Sequence, residues 1–380
     1  LFKKYIQKGL PYGNPFFMPP ASANWRRSDK QGGMGKLYLC ILIPPLGGWG
    51  QMKQILNHLF EHKTFSREQS KGILMNIAQG KYNNAQMAAF MTAYCMRSIT
   101  VEELEGFRDA MLELCLPVNL ETEGLIDLCG TGGDGKDTFN ISTLASFVVA
   151  GAGYKVAKHG NYGVSSGCGS SNVMEYLGYQ FTNNIDELKR SADEANICFL
   201  HAPLFHPAMK TVAPIRKELG VKTFFNMLGP MVNPAKPDNQ LVGVFNLELA
   251  RVYAYLYQKS TTKYTIINAL EGYDEISLTC DFKTFSADGE KINSVEDLGF
   301  ELLDPKEIIG GDTVEASAAI FSNVLKGDGT PAQNNVVLAN AALAIKTIGP
   351  EKTFGDCFYE AEEALFSKKA LKSFNTLLQN

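Results

Sequence analysis

With 380 residues, the chain is long enough for two or three domains and a large buried core. Its formal net charge of -4 gives no overall pull toward nucleic acid or an anionic membrane, so any basic site must be local. Its eight cysteines are scattered with no C-x-x-C pair, which fits free thiols in a reducing compartment and argues against a disulfide scaffold.

Residues 1–51 mix glycine, proline, aromatic and basic residues without helical or strand period. The apolar run Leu37 to Leu46 is too short to span a bilayer, and Pro44-Pro45 breaks it. Met34-Gly35-Lys36 ahead of that run imitates the start of a signal peptide, but no convincing cleavage site follows. The expectation is an extension outside the fold, or an incorrectly chosen start, ahead of a natural start at Met52.

Residues 52–118 read as four short helices. Met52 to His62 is amphipathic, and Ser66-Arg67-Glu68-Gln69 and Thr100-Val101-Glu102-Glu103 are capping boxes that open two more helices. Asn84 to Arg97 lies between them, and Pro117 ends the run. His58 and His62 stand four apart, but Leu-Phe-Glu between them is not a zinc-protease pattern, and a solvated helix face explains them better.

From Leu120 the pattern changes to alternating strand and helix. Leu125 to Cys129 is a short apolar run suited to a buried strand, followed at once by Gly130-Thr131-Gly132-Gly133-Asp134-Gly135. Asn140 is placed to cap a helix running on from Ile141, and Tyr154 to Ala157 reads as a second strand that stops at Lys158-His159-Gly160-Asn161. A right-handed crossover makes the two strands parallel, so both loops emerge at one edge of the sheet, where ligands of open α/β sheets bind. Gly130, Gly132 and Gly135 satisfy G-x-G-x-x-G, but a dinucleotide site wants an acid about 20 residues on for the ribose, and Lys158 and His159 stand there instead. Gly130 to Lys136 satisfies G-x-x-x-x-G-K, yet Asp137 replaces the hydroxyl that a P-loop sets on magnesium. What survives is an anion cradle: free N–H groups and a helix N-terminus, neutral donors from Thr138, Asn140, Ser142 and Thr143, and the charge of Lys158.

The second loop continues from Tyr162 to Ser171 and enters a helix, Val173 to Leu177, closed by Gly178. Asn184 to Cys198 and Pro207 to Leu219 read as two more helices. Arg216 falls in the last turn of the second, where complementing the helix C-terminus is enough to explain it. Val221 to Pro234 is irregular. Leu241 to Phe245 is a strand, Leu247 to Gln258 a helix and Tyr264 to Ala269 another strand, which again means parallel sheet. Asp274-Glu275 follows that strand on the phosphate side. Residues 276–316 look like short strands and loops, and Ala332 to Ile348 and Glu360 to Leu378 are helices covering the sheet.

Gly130-Thr131-Gly132-Gly133-Asp134, Asn140-Ile141-Ser142-Thr143 and Lys158-His159-Gly160-Asn161 resemble the three signature segments of the anthranilate phosphoribosyltransferase family. His206-Pro207-Ala208-Met209, Ala213 to Gly220, Phe225-Asn226-Met227-Leu228-Gly229-Pro230, Asn233-Pro234 and Asp274-Glu275 extend the likeness, which runs from Met52 to the C-terminus. The resemblance implies an α/β protein with a small all-helical N-terminal domain (52–118, joined by helices from 183–220) and a larger α/β domain (119–182 and 221–380) with a mostly parallel central sheet. It also implies transfer of a phosphoribosyl group from phosphoribosyl pyrophosphate to the amine of anthranilate, in tryptophan biosynthesis.

As the resemblance has it, Gly130, Gly132, Gly133, Asp134, Thr138, Asn140, Ser142, Thr143, Lys158 and Cys168 hold phosphoribosyl pyrophosphate. Gly130, His159, Asn161, His206, Arg216 and Pro230 surround anthranilate, with Arg216 facing its carboxylate. Ser142, Asp274 and Glu275 hold magnesium. Lys158, Asn161 and Arg216 act by positioning, and no acid–base residue is expected. A cytoplasmic homodimer through the helical part is implied, with no nucleic-acid or membrane partner. Tyr162-Gly163, Cys168 and Asn172 depart from the usual pattern and put the second loop's contacts in question. The competing expectations are a pyrimidine nucleoside phosphorylase, which shares the fold and the anion loop, and a non-catalytic nucleic-acid binder, which the acidic charge disfavours.

Overall fold

The computed structural model describes residues 49–163 and 168–380. Most of the expected N-terminal extension (1–48) and the Val164 to Gly167 part of the second loop lie outside the described residues.

Among the described residues four helices come first: α1 (Trp49–Phe60), α2 (Arg67–Ala78), α3 (Asn84–Cys95) and α4 (Val101–Leu114). Reciprocal capping boxes start α2, α3 and α4 at Ser66/Gln69, Asn83/Gln86 and Thr100/Glu103, so each helix opens with its first free N–H groups satisfied. Because α1 starts at Trp49, residues 49–51 belong to the first helix and the fold does not begin at Met52. The bundle packs α1 on α3 and α2 on α4, around Phe90 and Phe107. Glu103 is buried at its centre, accepting from Phe65 N–H and Tyr94 O–H (3.0 Å each) and pairing with Arg97, which makes a buried charge tolerable.

The α/β part runs β1 (Ile126–Gly130), α5 (Ile141–Gly151), β2 (Val156–Gly160), α6 (Ser170–Tyr176), α7 (Ile185–Glu194), β3 (Ile197–His201), α8 (Ala202–Phe205) and α9 (Met209–Leu219). It continues with β4 (Asn239–Gly243), α10 (Leu247–Tyr257), β5 (Lys263–Ala269), β6 (Phe282–Ser286), β7 (Gly289–Asn293), α11 (Val314–Leu325), α12 (Pro331–Ile348), α13 (Phe354–Phe366) and α14 (Lys369–Gln379). The seven strands are ordered β3-β2-β1-β4-β5-β6-β7. The first five in that order are parallel, and the β6–β7 hairpin closes one edge antiparallel. Parallel strands are covered on both faces, which is why β2, β3 and β4 are buried throughout. Helix α5 is apolar nearly all round because it is enclosed by the sheet, α12, α13 and α14.

Other readings of the sequence need correction too. The stretch Glu360 to Leu378 is not one helix: α13 ends at Phe366, and Lys368 takes left-handed backbone before α14. The segment ending at Cys198 is not helical to its end: α7 stops at Glu194 and Ile197–His201 is edge strand β3. Of the two helices expected to lie with the bundle, α9 packs on α2 and α3, whereas α7 packs on β3 and α14. The second strand does not stop before Lys158. It includes Lys158, His159 and Gly160, because their backbones pair in register with Phe199, Leu200 and His201 of β3.

Candidate active site

The strand order reverses between β2-β1 and β4-β5, so the carboxyl ends of β1 and β4 flank the crevice where open sheets bind ligands. Both strands end in glycine, and Gly130 pairs in register with Gly243. This pair forms a notch filled by the loop after β5. A Cβ on Gly130 would lie 2.2 Å from Asp274 Oδ2, and one on Gly243 would lie 1.4 Å from the Asp274 carbonyl oxygen. Beyond the notch, Gly132 and Gly133 take left-handed backbone (φ +66° and +75°), which turns the loop's N–H groups toward the rim.

Two N–H groups at the rim are engaged by acids. Gly132 N–H donates to Asp274 Oδ2 (2.7 Å), and Ser142 N–H at the start of α5 donates to Glu275 Oε1 (3.3 Å). The expected cap, Asn140, makes no side-chain cap bond; its amide donates to the Cys168 carbonyl at 3.3 Å instead, since Glu275 already occupies the helix end. Burial, reinforced by the charge of Asp134, pushes the Asp274 carboxyl up to about 7. Burial and then the charge of Asp274 raise Glu275 well above the usual carboxylate range. Among the described residues, Glu275 Oε2 is buried without a hydrogen-bond partner. Two crowded, hard oxygen donors with a spare lone pair are a fitting seat for a small divalent cation, which takes one or two carboxylates and keeps the rest of its shell for water and phosphate.

Lys158 is buried beneath this rim, its Nζ donating to the Leu128 carbonyl at 2.5 Å. Its charge bears on Asp127 and on Glu275. Asp127, fully buried in β1, accepts the His159 N–H (3.2 Å) and the Asn233 side-chain amide (3.0 Å). The motifs did not single out Asp127, although an acid inside an apolar strand signals a required partner. Thr143 is buried within α5, and Thr138 pairs with Ile309 in an isolated antiparallel bridge.

His159 and His206 face each other with ring centroids 5.2 Å apart. His159 Nδ1 lies 3.2 Å from the Gly229 carbonyl, next to Pro230, while among the described residues His159 Nε2 and both ring nitrogens of His206 are buried without a hydrogen-bond partner. Burial pushes His159 down to about 4; burial and then His159 push His206 down to about 3. Both rings are therefore neutral at working pH. An unfolded histidine titrates near ~6.5, so between that value and the folded ones the unfolded chain binds more protons, and the pair's contribution to stability is lost as pH falls through this window. The expected result is that the ring ¹⁵N shifts of both residues stay in the neutral form down to pH ~5. The His206→Gln variant should also lose less Tm between pH ~7 and ~5 than the parent. A ring titrating near ~6.5 would contradict this environment.

One segment, residues 222–233, ties the parts together; the sequence reads as irregular here, but the structure forms two short 3-10 turns, Phe224–Met227 and Gly229–Met231. Lys222 Nζ donates to the Gly133 carbonyl, Asn226 Oδ1 accepts from Arg216 Nη2 (3.3 Å), the Gly229 carbonyl meets His159, and Asn233 holds Asp127. Arg216 is half-buried over the Phe225 ring (5.5 Å), burial lowers its pKa, and among the described residues it has no carboxylate within ion-pair reach. The departures in the second loop have a local explanation. Asn172 Oδ1 accepts the N–H groups of both Gly163 and Gly169 (3.0 Å each), and Tyr162 packs on His201 at 4.8 Å. Asn161 is exposed, its side chain accepting the Tyr162 N–H at 2.8 Å.

Residues 53–115 match the glycosyl transferase family, helical bundle domain, and residues 122–371 match the same family's a/b domain. Fold and matches together define a glycosyl transferase of the bundle-plus-sheet class. The chain is 61% identical over 329 residues to the anthranilate phosphoribosyltransferase of Christiangramia forsetii, covering 86% of this chain and 98% of the relative. It is 60% identical to that of Flavobacterium johnsoniae, with the same coverage. Among solved structures, the Thermus thermophilus anthranilate phosphoribosyltransferase superposes with a TM-score of 0.79 at 29% identity, covering 85% of this chain and 98% of that one. The Saccharomyces cerevisiae enzyme in complex with PRPP and Mg superposes with a TM-score of 0.80 at 25% identity, covering 87% and 97%. The chain belongs to the anthranilate phosphoribosyltransferase family.

Proposed function

We propose that this chain transfers the phosphoribosyl group of phosphoribosyl pyrophosphate to the amine of anthranilate, releasing pyrophosphate, in tryptophan biosynthesis. The observation that carries the reading is the acid pair Asp274-Glu275 held on the Gly132 and Ser142 N–H groups at the switch point of the sheet. A paired metal-and-phosphate seat at that place suits a sugar diphosphate. The relative from Saccharomyces cerevisiae carries PRPP and Mg together, and another structure of that enzyme carries 4-fluoroanthranilate.

The roles divide by chemistry. Gly130, Gly132, Gly133, Asp134, Thr138, Asn140, Ser142, Thr143 and Cys168 form the cradle for phosphoribosyl pyrophosphate. Lys158 supports it from below as a counter-charge to the acids. Asp274, Glu275 and Ser142 hold magnesium, which offsets charge growing on the departing pyrophosphate when it is bound. Arg216 grips the anthranilate carboxylate, and Gly130, His159, His206, Pro230 and Asn161 frame its ring and amine. Departure of pyrophosphate builds positive charge on the ribose, and an aromatic amine attacks while neutral. Positioning and fixed dipoles then supply the catalysis, and neutral His159 and His206 add no competing charge.

No helix among the described residues is long and apolar enough to cross a membrane. The cytoplasmic homodimer remains part of the proposal. The exposed Phe60 of α1 and Met96 after α3 support it, as apolar surface that a second copy would cover.

The test is loss of anthranilate fluorescence with phosphoribosyl pyrophosphate and magnesium. Phosphorolysis of a pyrimidine nucleoside without anthranilate consumption would favour the phosphorylase reading instead. In the same assay Asp274→Asn should raise the magnesium needed for half-maximal rate by about tenfold, the worth of one charge-assisted contact. An unchanged metal titration would remove Asp274 from the metal seat.

A further inference from the structure

The rim of the cradle is short of positive charge. Asp134, Asp274 and Glu275 crowd the glycine loop: Asp274 accepts the Gly132 N–H, Glu275 accepts the Ser142 N–H, and the charge of Asp134 bears on both of them. Lys158, the cation that the motif supplies, is buried, spends its ammonium on the Leu128 carbonyl and is already shared between Asp127 and Glu275. A sugar diphosphate brings several negative charges to this place. A side-chain cation on the loop that is free of acid partners would find phosphate oxygens there.

Lys222 stands in that position. It follows α9 just before the first of the two 3-10 turns, its residue is exposed, and its ammonium rests on the Gly133 carbonyl, 5.4 Å above the Phe245 ring. Among the described residues it forms no ion pair. The other lysine of the loop, Lys136, lies over the Tyr273 ring at 4.5 Å. A neutral carbonyl is a weaker partner for an ammonium than a phosphate oxygen, and a lysine stem is long enough to exchange one for the other.

We propose that Lys222 is a binding residue for the diphosphate of the sugar substrate and for the pyrophosphate product, exchanging the Gly133 carbonyl for a phosphate oxygen. This rests on the phosphoribosyl-transfer reading above. The experiment compares the parent, Lys222→Met and Lys222→Arg in two measurements. One is steady-state KM for each substrate. The other is calorimetric titration with inorganic pyrophosphate and magnesium.

Lys222→Met should raise the KM for phosphoribosyl pyrophosphate and the Kd for pyrophosphate by about tenfold or more, leave the KM for anthranilate within about twofold, and leave Tm unchanged. Lys222→Arg should recover most of the loss. Unchanged sugar-diphosphate KM and pyrophosphate Kd in Lys222→Met would overturn the proposal. So would equal rises in both KM values with a lowered Tm, which would make Lys222 a structural tie to Gly133. Absence of anthranilate turnover in the parent would instead sink the underlying reading, so the two failures are distinguishable.

Discussion

Gly243→Ala should reduce kcat/KM by more than about a hundredfold. The new Cβ would lie 1.4 Å from the Asp274 carbonyl oxygen and 2.4 Å from its carbonyl carbon, and both are backbone atoms with no rotamer to change. Relief requires the loop after β5 to move outward by more than about 1 Å, a displacement that by itself costs about a hundredfold when it touches positioning groups. The shift separates Asp274 from Gly132 N–H and Glu275 from Ser142 N–H, so the metal seat and the helix end are lost together. The rest of β4 keeps its pairing with β1 and β5, so the fold should survive with a Tm lowered by a few degrees. Circular dichroism and magnesium-dependent kinetics on the same sample check this. Near-parental turnover would mean that the Gly130–Gly243 notch has no part in the site.

Arg216→Ala should raise the KM for anthranilate by about a hundredfold while that for phosphoribosyl pyrophosphate changes by less than about twofold. The guanidinium is partly desolvated, lies over Phe225 and, among the described residues, has only the Asn226 side-chain oxygen as a hydrogen-bond partner. A cation prepared in this way gains most from a carboxylate it can grip with two N–H groups, at a worth of roughly 1.5–3 kcal/mol for a charged hydrogen bond. A lysine side chain keeps the charge but not the fork, so Arg216→Lys should recover only part of the loss. Equal rises in both KM values would contradict the assignment and return Arg216 to the ordinary role of a helix C-terminal charge.

What the sequence disclosed is what local chemistry decides. Ser66 and Thr100 announce their helices by a hydroxyl and an amide or acid three residues on, and Gly130 to Gly135 announces a loop whose backbone must bend left. What it concealed depends on partners far along the chain. Ile197 to Leu200 is a four-residue apolar run that could continue the preceding helix; only pairing with β2 makes it a strand. Asn140 looks like a cap because nothing nearby says that Glu275, which bonds the Ser142 N–H from 133 residues further on, will take the helix end. Gly243 is a single glycine after an apolar run, and its purpose exists only where the Asp274 backbone crosses it. Asp127 needs Asn233, 106 residues away, to make sense of a buried acid. Lys222 reads as an ordinary surface lysine until its ammonium is found on the Gly133 carbonyl.

The aromatic heart of the helical bundle is completed late. Phe90, Tyr94 and Phe107 close on Phe224, and Val212 and Ile215 of α9 join the same cluster. A ribosome adds roughly 5–20 residues per second, so the first four helices wait on the order of ten seconds for their lid. During that interval the nascent chain carries an open, greasy face, the kind of surface that chaperones cover and that sticks to its neighbours when they do not. Translation pauses between α4 and α9 would lengthen this exposure, so the pace of synthesis, and not only the finished fold, governs how much protein arrives intact.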